Sequence, residues 1–200
     1  NYALHNSGFI EDMVAEIYPD YQRHLLNSNA LDFGDLLFKV VKLFQEFPEI
    51  LEKYQEQYRY IMVDEYQDTN KVQYLFVKLL SEKYKNICVV GDDDQGIYGW
   101  RGADIKNIIS FEKDFPNVKV VKLEQNYRSV QNVIDAAVAV ICSNNDRVDK
   151  KLWTDRECGP PLTVYQGEDE KAEAQYVVDE VLSLQNQGYT FNDIAILYRT

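Results

Sequence analysis

Three clusters of chemically capable residues crowd the middle of the chain. VDEYQDTN runs from Val63 to Asn70, VVGDDDQGIYGWRGAD from Val89 to Asp104, and LEQNYRS from Leu123 to Ser129. In the first, Asp64 follows the apolar run Tyr60 to Val63. The end of such a run is where a nucleotide-hydrolysing site holds Mg²⁺ through a carboxylate. Glu65 beside it could orient a water and take its proton. The competing reading is that two acids simply favour the positive end of the next helix.

In the second cluster Tyr98, Trp100 and Arg101 fall within four residues of one another, spaced by Gly96, Gly99 and Gly102. Aromatic faces stack on any nucleobase, each stack contributing about 1 to 3 kcal/mol, and arginine adds a cation at the same surface. Glycines at this density describe a bent, exposed loop rather than a packed strand. Ordinary core aromatics compete with this reading in a chain holding 15 tyrosines. In the third cluster the planar, permanently charged fork of Arg128 suits phosphoryl oxygens. The alternative is that Asn126 to Ser129 is only the entry turn of a helix capped by Ser129.

The elements that must position these groups follow from periodicity and punctuation. Apolar residues recur at helical spacing from Phe9 to Leu26, with an interruption expected at Pro19. Leu31 to Phe47 repeats the pattern with Asp32 as N-cap, and Pro48 opens another helix through Tyr58. Tyr60 to Val63 and Ile87 to Val90 read as buried parallel strands. Lys71 to Leu80 and Ala103 to Phe115 read as helices, and Val118 to Leu123 as a third strand. A helix from Ser129 to Val140 follows, then strand, helix, strand at Leu162 to Tyr165, Glu168 to Leu184 and Ile194 to Leu197. Strands alternating with helices predict an α/β fold with a parallel sheet, whose sites lie at the carboxyl ends of strands. All three clusters fall at such ends. Between them and the last elements, Asn144 to Pro161 is a polar, turn-rich spacer.

Composition limits the field. The chain has 200 residues, 46% apolar and 27% charged, and a formal net charge of -12. That predicts a soluble globular protein without a membrane span, and Asn1 opens a polar stretch rather than a signal peptide. Both ends read as cut. Acidity disfavours a passive nucleic-acid coat, which would carry a basic groove. It is compatible with a motor that grips and releases through local aromatic and arginine contacts. Cys88, Cys142 and Cys158 lack CxxC spacing and read as reduced cytosolic thiols. His5 and His24 have no partners at metal-ligand spacing.

Taken in order and spacing, the three clusters resemble the motor core of superfamily 1 DNA helicases of the UvrD/Rep/PcrA type. The DExQD pattern of Asp64 to Asp68 and the LEQNYRS run carry most of that resemblance. LDFGDLL at Leu31 to Leu37, KLWTD at Lys151 to Asp155 and the closing IAILYRT extend it. The resemblance implies a RecA-like α/β fold. Residues 1–29 would be the tail of an inserted helical subdomain, 30–127 the second half of a first RecA-like domain, and 128–200 the start of a second. It implies ATP and Mg²⁺ as cofactors, with Asp64 on the metal and Glu65 as base. Gln95 would report the γ-phosphate through its amide, Tyr127 would stack on the adenine, and Arg128 would contact the γ-phosphate. Tyr98, Trp100 and Arg101 would meet DNA, and Gln67 and Asp68 would brace the acids.

The implied activity is ATP-dependent 3′ to 5′ translocation on single-stranded DNA with unwinding of 3′-tailed duplex. It would serve cytoplasmic repair or replication, with proteins of those pathways as partners. Gly96 departs from the serine usual at its place and loosens the loop. None of the nine glycines precedes a lysine, so the Gly-Lys-Ser/Thr phosphate cradle is absent, and the 200 residues alone are expected not to hydrolyse ATP. A helicase-nuclease subunit of the AddA or RecB kind is a second reading, marked by a downstream nuclease cluster. A binding module without turnover is a third, marked by DNA binding that ignores ATP.

Overall fold

The computed structural model describes residues 8–144, 147, 148 and 150–198. His5 and the last two residues of IAILYRT lie outside them. Eight α-helices and two short parallel strands are described, an α/β arrangement as expected. The chain divides into two compact units, Asn1–Lys122 with Asn144–Lys150, and Leu123–Ser143 with Lys151–Thr200.

In the first unit α1 spans Phe9–Asn27, and Pro19 lies inside it rather than breaking it. Proline deletes one intrahelical hydrogen bond, and the turns on either side carry the helix through. None of its residues is buried. α2 (Phe33–Glu46) starts where expected, because the Asp32 carboxylate accepts the Asp35 N–H at 2.7 Å. α3 (Pro48–Gln57) follows with proline in its first turn. α4 (Lys71–Ser81) opens on a capping box in which Asn70 and Gln73 satisfy each other's backbone N–H groups.

The core of this unit sits where α2 and α4 face each other. Val41 and Phe44 come from α2 and Val77 and Leu80 from α4, with Tyr66 and Phe111 completing the buried apolar set. Phe44 stacks on Phe76 at 6.0 Å, and Tyr66 meets Phe111 edge-on at 5.5 Å. Full burial of each such side chain stabilises by about 1.5 to 3 kcal/mol. Gln55, buried in α3, donates to the Leu79 carbonyl at 2.7 Å and ties α3 to α4 without an unmet polar group.

Strands β1 (Ile61–Val63) and β2 (Ile87–Val89) pair in parallel, Ile61 opposite Ile87 and Val63 opposite Val89. They are not buried on both faces as the sequence suggested. Ile61 and Val63 turn inward, while Met62 is 79% exposed. Period-two geometry sends alternate side chains to opposite faces, and only one face is covered among the described residues. The helix expected over Ala103 to Phe115 is two short ones, α5 (Lys106–Ile109) and α6 (Phe111–Asp114).

The second unit holds α7 (Gln131–Ile141) and α8 (Glu170–Asn186), the latter capped by Asp169. Ser129 does not cap α7: Val130 holds that position without a side-chain bond. Asn126 does the local work instead, its Oδ1 accepting the N–H groups of Arg128 at 2.9 Å and Ser129 at 2.8 Å. Leu162 to Tyr165 and Ile194 to Leu197 are not strands, and neither is Val118 to Leu123. A strand exists only where a neighbour accepts and donates its hydrogen bonds, and among the described residues none does. Among the described residues of the second unit, the parallel bridge of Gln125 to Trp153 is the pairing seen.

Candidate nucleotide and nucleic-acid site

The site is built at the carboxyl ends of β1 and β2. Asp64 and Glu65 leave β1 exposed to solvent. Glu65 takes a left-handed conformation, φ 50°, which a non-glycine residue adopts only when its surroundings enforce it. Asp64 Oδ1 accepts the Glu65 N–H at 2.9 Å and helps to fix that turn. The next three residues form a 3-10 turn, Tyr66–Asp68, that buries Tyr66 and Gln67 to 1% exposure each. Burial pushes the Tyr66 phenol up to about 12.

Gln67 connects the two strand ends. Its Nε2 donates to Glu65 Oε2 at 2.7 Å, and its Oε1 accepts the Asp92 N–H at 3.0 Å. Asp92 Oδ2 in turn accepts from Gln95 Nε2 at 2.8 Å. A continuous chain of hydrogen bonds thus runs Glu65, Gln67, Asp92, Gln95. Gly91 makes room for it: a Cβ there would lie 2.5 Å from Gln67 Oε1 and 2.8 Å from Ile108 Cδ1.

A cavity of about 340 Å³ opens beside the acids, lined among others by Asp64, Glu65, Asp68 and Gln73. Asp68 Oδ1 is buried without a hydrogen-bond partner in this structure. An exposed carboxylate at a strand end with a second acid next to it fits Mg²⁺, which takes one or two carboxylates and keeps several waters.

The aromatic loop is anchored to the same turn. The Thr69 carbonyl accepts the Asp104 N–H at 3.0 Å and Asn107 Nδ2 at 2.9 Å, and Asn70 bridges Ala103. Between these anchors and Gln95, Trp100 is 76% exposed and Tyr98 38% exposed. The Arg101 guanidinium lies 4.5 Å from the Trp100 ring centroid and 5.4 Å from that of Tyr98. Gly102 ends the turn at φ 85°, a conformation that favours glycine.

In the second unit Tyr127 and Arg128 are both exposed, and the Tyr127 hydroxyl donates to Gln125 Oε1 at 2.8 Å. Gln125 also donates to Asp155 Oδ2 at 2.7 Å, so the KLWTD segment supports the LEQNYRS turn.

Sequence reasoning missed one group of residues. The carboxylate oxygens of Asp92, Asp93 and Asp94 come within 4.8 Å of one another, a spacing that could hold a cation. Protein cations already occupy that role. Lys150 Nζ contacts Asp92, and reaches Asp93 at 3.1 Å and Asp94 at 2.9 Å. Arg147 binds both oxygens of Asp94, at 3.0 and 2.8 Å, and the Val148 N–H donates to Asp93 Oδ2 at 2.6 Å. Arg147 holds the Asp94 carboxyl below its ordinary range by hydrogen bonding. Burial pushes Asp92 up, but hydrogen bonds from Lys150 and Gln95 more than offset it. Burial likewise works against the Lys150 charge, and the three aspartates raise its pKa regardless. The signal was visible only as three consecutive acids. Their cationic partners stand more than 50 residues on, in the polar spacer.

Residues 3–116 match the UvrD/REP helicase N-terminal domain, and residues 121–200 match the UvrD-like helicase C-terminal domain. The chain is 53% identical over 192 residues to a protein named ATP-dependent DNA helicase PcrA from Staphylococcus epidermidis, covering 96% of this chain and 26% of that protein. It is also 53% identical over 188 residues to the protein of that name from Staphylococcus aureus, covering 94% of this chain and 26% of the relative. It thus spans about a quarter of the length of these curated relatives. Matched from residue 3 to residue 200 by two successive domains of one helicase architecture, the chain belongs to the UvrD/Rep helicase family.

Proposed function

We propose that the chain is part of an ATP-dependent DNA helicase that moves 3′ to 5′ on single-stranded DNA, unwinds 3′-tailed duplex, and serves repair or replication in the cytoplasm. Residues 1–29 are then the tail of an inserted helical subdomain, 30–127 the second half of one RecA-like domain and 128–200 the first part of another. Asp64 holds Mg²⁺, which when bound neutralises charge on the phosphate oxygens. Glu65 takes the proton of the attacking water. Gln95 senses the γ-phosphate through an amide that carries no charge of its own. Tyr127 stacks on the adenine, and Arg128 stabilises the charge that grows on the transferred phosphoryl group. Tyr98 and Trp100 stack on successive bases, with Arg101 beside them.

The observation that carries this reading is the hydrogen-bond chain from Glu65 to Gln95. It joins a base candidate to the root of the aromatic loop through one buried side chain, the short mechanical path that coupling of hydrolysis to DNA grip requires. The test is ATP hydrolysis stimulated by single-stranded DNA, with this chain assayed beside a full-length protein containing it. Turnover is expected only in the full-length protein. Glu65→Gln there should lower kcat by about 10² to 10⁴-fold, the usual scale for a general base. An unchanged rate would remove Glu65 from that role, and turnover by the 200 residues alone would contradict the missing phosphate cradle.

A further inference from the structure

After α7 the chain leaves the second unit, and Asn144–Lys150 groups with the first before Lys151 resumes the second. Within this excursion Arg147 and Lys150 lie on the Asp92 to Asp94 loop with side chains only 14% and 15% exposed. Of the carboxylates they meet, Asp93 is 7% and Asp94 10% exposed, and Asp92 32%. Three acids so close would spread apart by mutual repulsion if their charges were not offset. Asp92 is the member with a second duty. Its Oδ1 takes Lys150 and the Asp94 N–H, while its Oδ2 holds the Gln95 amide. Asp92 is also the residue whose N–H reaches Gln67. The placement of Gln95 therefore depends on a lysine 55 positions later in sequence, whose contact with Asp92 fixes the carboxylate that orients the amide.

We propose that Lys150, seconded by Arg147, is a positioning residue for nucleotide turnover: it clamps the Asp92 to Asp94 loop so that Gln95 presents its amide in one orientation. The inference rests on the reading of Gln95 as the γ-phosphate sensor. Lys150 touches no reacting group. Losing it changes the rate of the bound complex and not the hold on the nucleotide, because misplacement of a group at the reacting centre lowers kcat while binding made elsewhere survives.

The test uses Lys150→Met, which keeps the stem and removes the charge, and Lys150→Arg, which keeps the charge. In the 200-residue chain, amide hydrogen exchange is followed at Asp92 to Gly96 with α4 as internal reference. Lys150→Met should speed exchange in the loop and leave α4 unchanged, and Lys150→Arg should restore protection. In the full-length protein Lys150→Met should lower kcat for DNA-stimulated ATP hydrolysis by about tenfold or more and shift KM for ATP by less than about twofold, with Lys150→Arg recovering most of the loss. Unchanged exchange in the loop would overturn the clamp. Faster exchange with kcat within twofold of the unsubstituted protein would overturn its role in turnover. Loss of α4 protection in Lys150→Met would show a fold support instead and also overturn it. If the unsubstituted full-length protein hydrolyses no ATP, the helicase reading itself fails and takes this inference with it.

Discussion

Ile61–Val63 and Ile87–Val89 in the first unit lie side by side as parallel strands, while the largely apolar Leu162 to Tyr165 and Ile194 to Leu197 in the second find no strand partner among the described residues. The first unit also holds six of the seven buried apolar side chains among the described residues, and the second only Ile134. Val164 is 93% and Leu197 94% exposed. Similar local sequence thus reaches different ends. A helix satisfies its own backbone, as α7 and α8 do, whereas a strand depends on a neighbour. What separates the units is the presence of that neighbour.

The comparison can be broken most forcefully in the core. Tyr66→Ala should destabilise the first unit by about 3 to 5 kcal/mol, the scale of emptying an aromatic site in a packed core. Ile134→Ala should cost nearer 2 kcal/mol, because sparsely packed surroundings collapse into the space more readily. Urea unfolding followed by circular dichroism measures both, and equal losses would abolish the distinction. Gly91→Ala comes next, at about 1 to 3 kcal/mol, since overpacking must displace Gln67 or Ile108. A neutral result would show that the strand ends are less closely fitted than their distances indicate.

The smallest effect concerns acid. Lys83 first, then Tyr84, hydrogen-bonds Glu56 and holds its carboxyl down from 4.5 to about 2. A carboxyl lowered on folding lends stability that is present above its unfolded value and lost as pH falls through the folded one. The first unit should therefore weaken between about pH 4.5 and 2, and Glu56→Gln should flatten that part of the profile. If Glu56→Gln leaves the slope as it was, the exposed cluster contributes nothing measurable, as many surface ion pairs do.

Legibility in sequence followed the same division. Asp32 and Pro48 announced helix starts because capping is chemistry within a few residues. Glu65 and Gln95 were singled out from motif order, and the structure joins them through Gln67 and Asp92. Three of five expected strands did not form, since alternation and apolarity describe a strand's surface and not its partner. Ser129 was expected as the cap, but Val130 holds that position, and the Asn126 side chain instead accepts the Ser129 N–H three residues along in the turn. Arg147 and Lys150 were invisible for a plainer reason. Ion pairs between residues more than 50 apart leave no local pattern, and the polar spacer offered no element to place them on.

The buried amide of Gln67 has one more consequence. Its two ends are chemically unlike, and each has its own partner, since the Asp92 N–H gives a proton to the amide oxygen and a Glu65 carboxylate oxygen receives one from the amide nitrogen. The bridge is therefore a directional connector, like a plug that enters its socket one way. A glutamate of the same shape would present two identical ends and a second negative charge facing Glu65. Glutamine keeps the line between the two strand ends polarised.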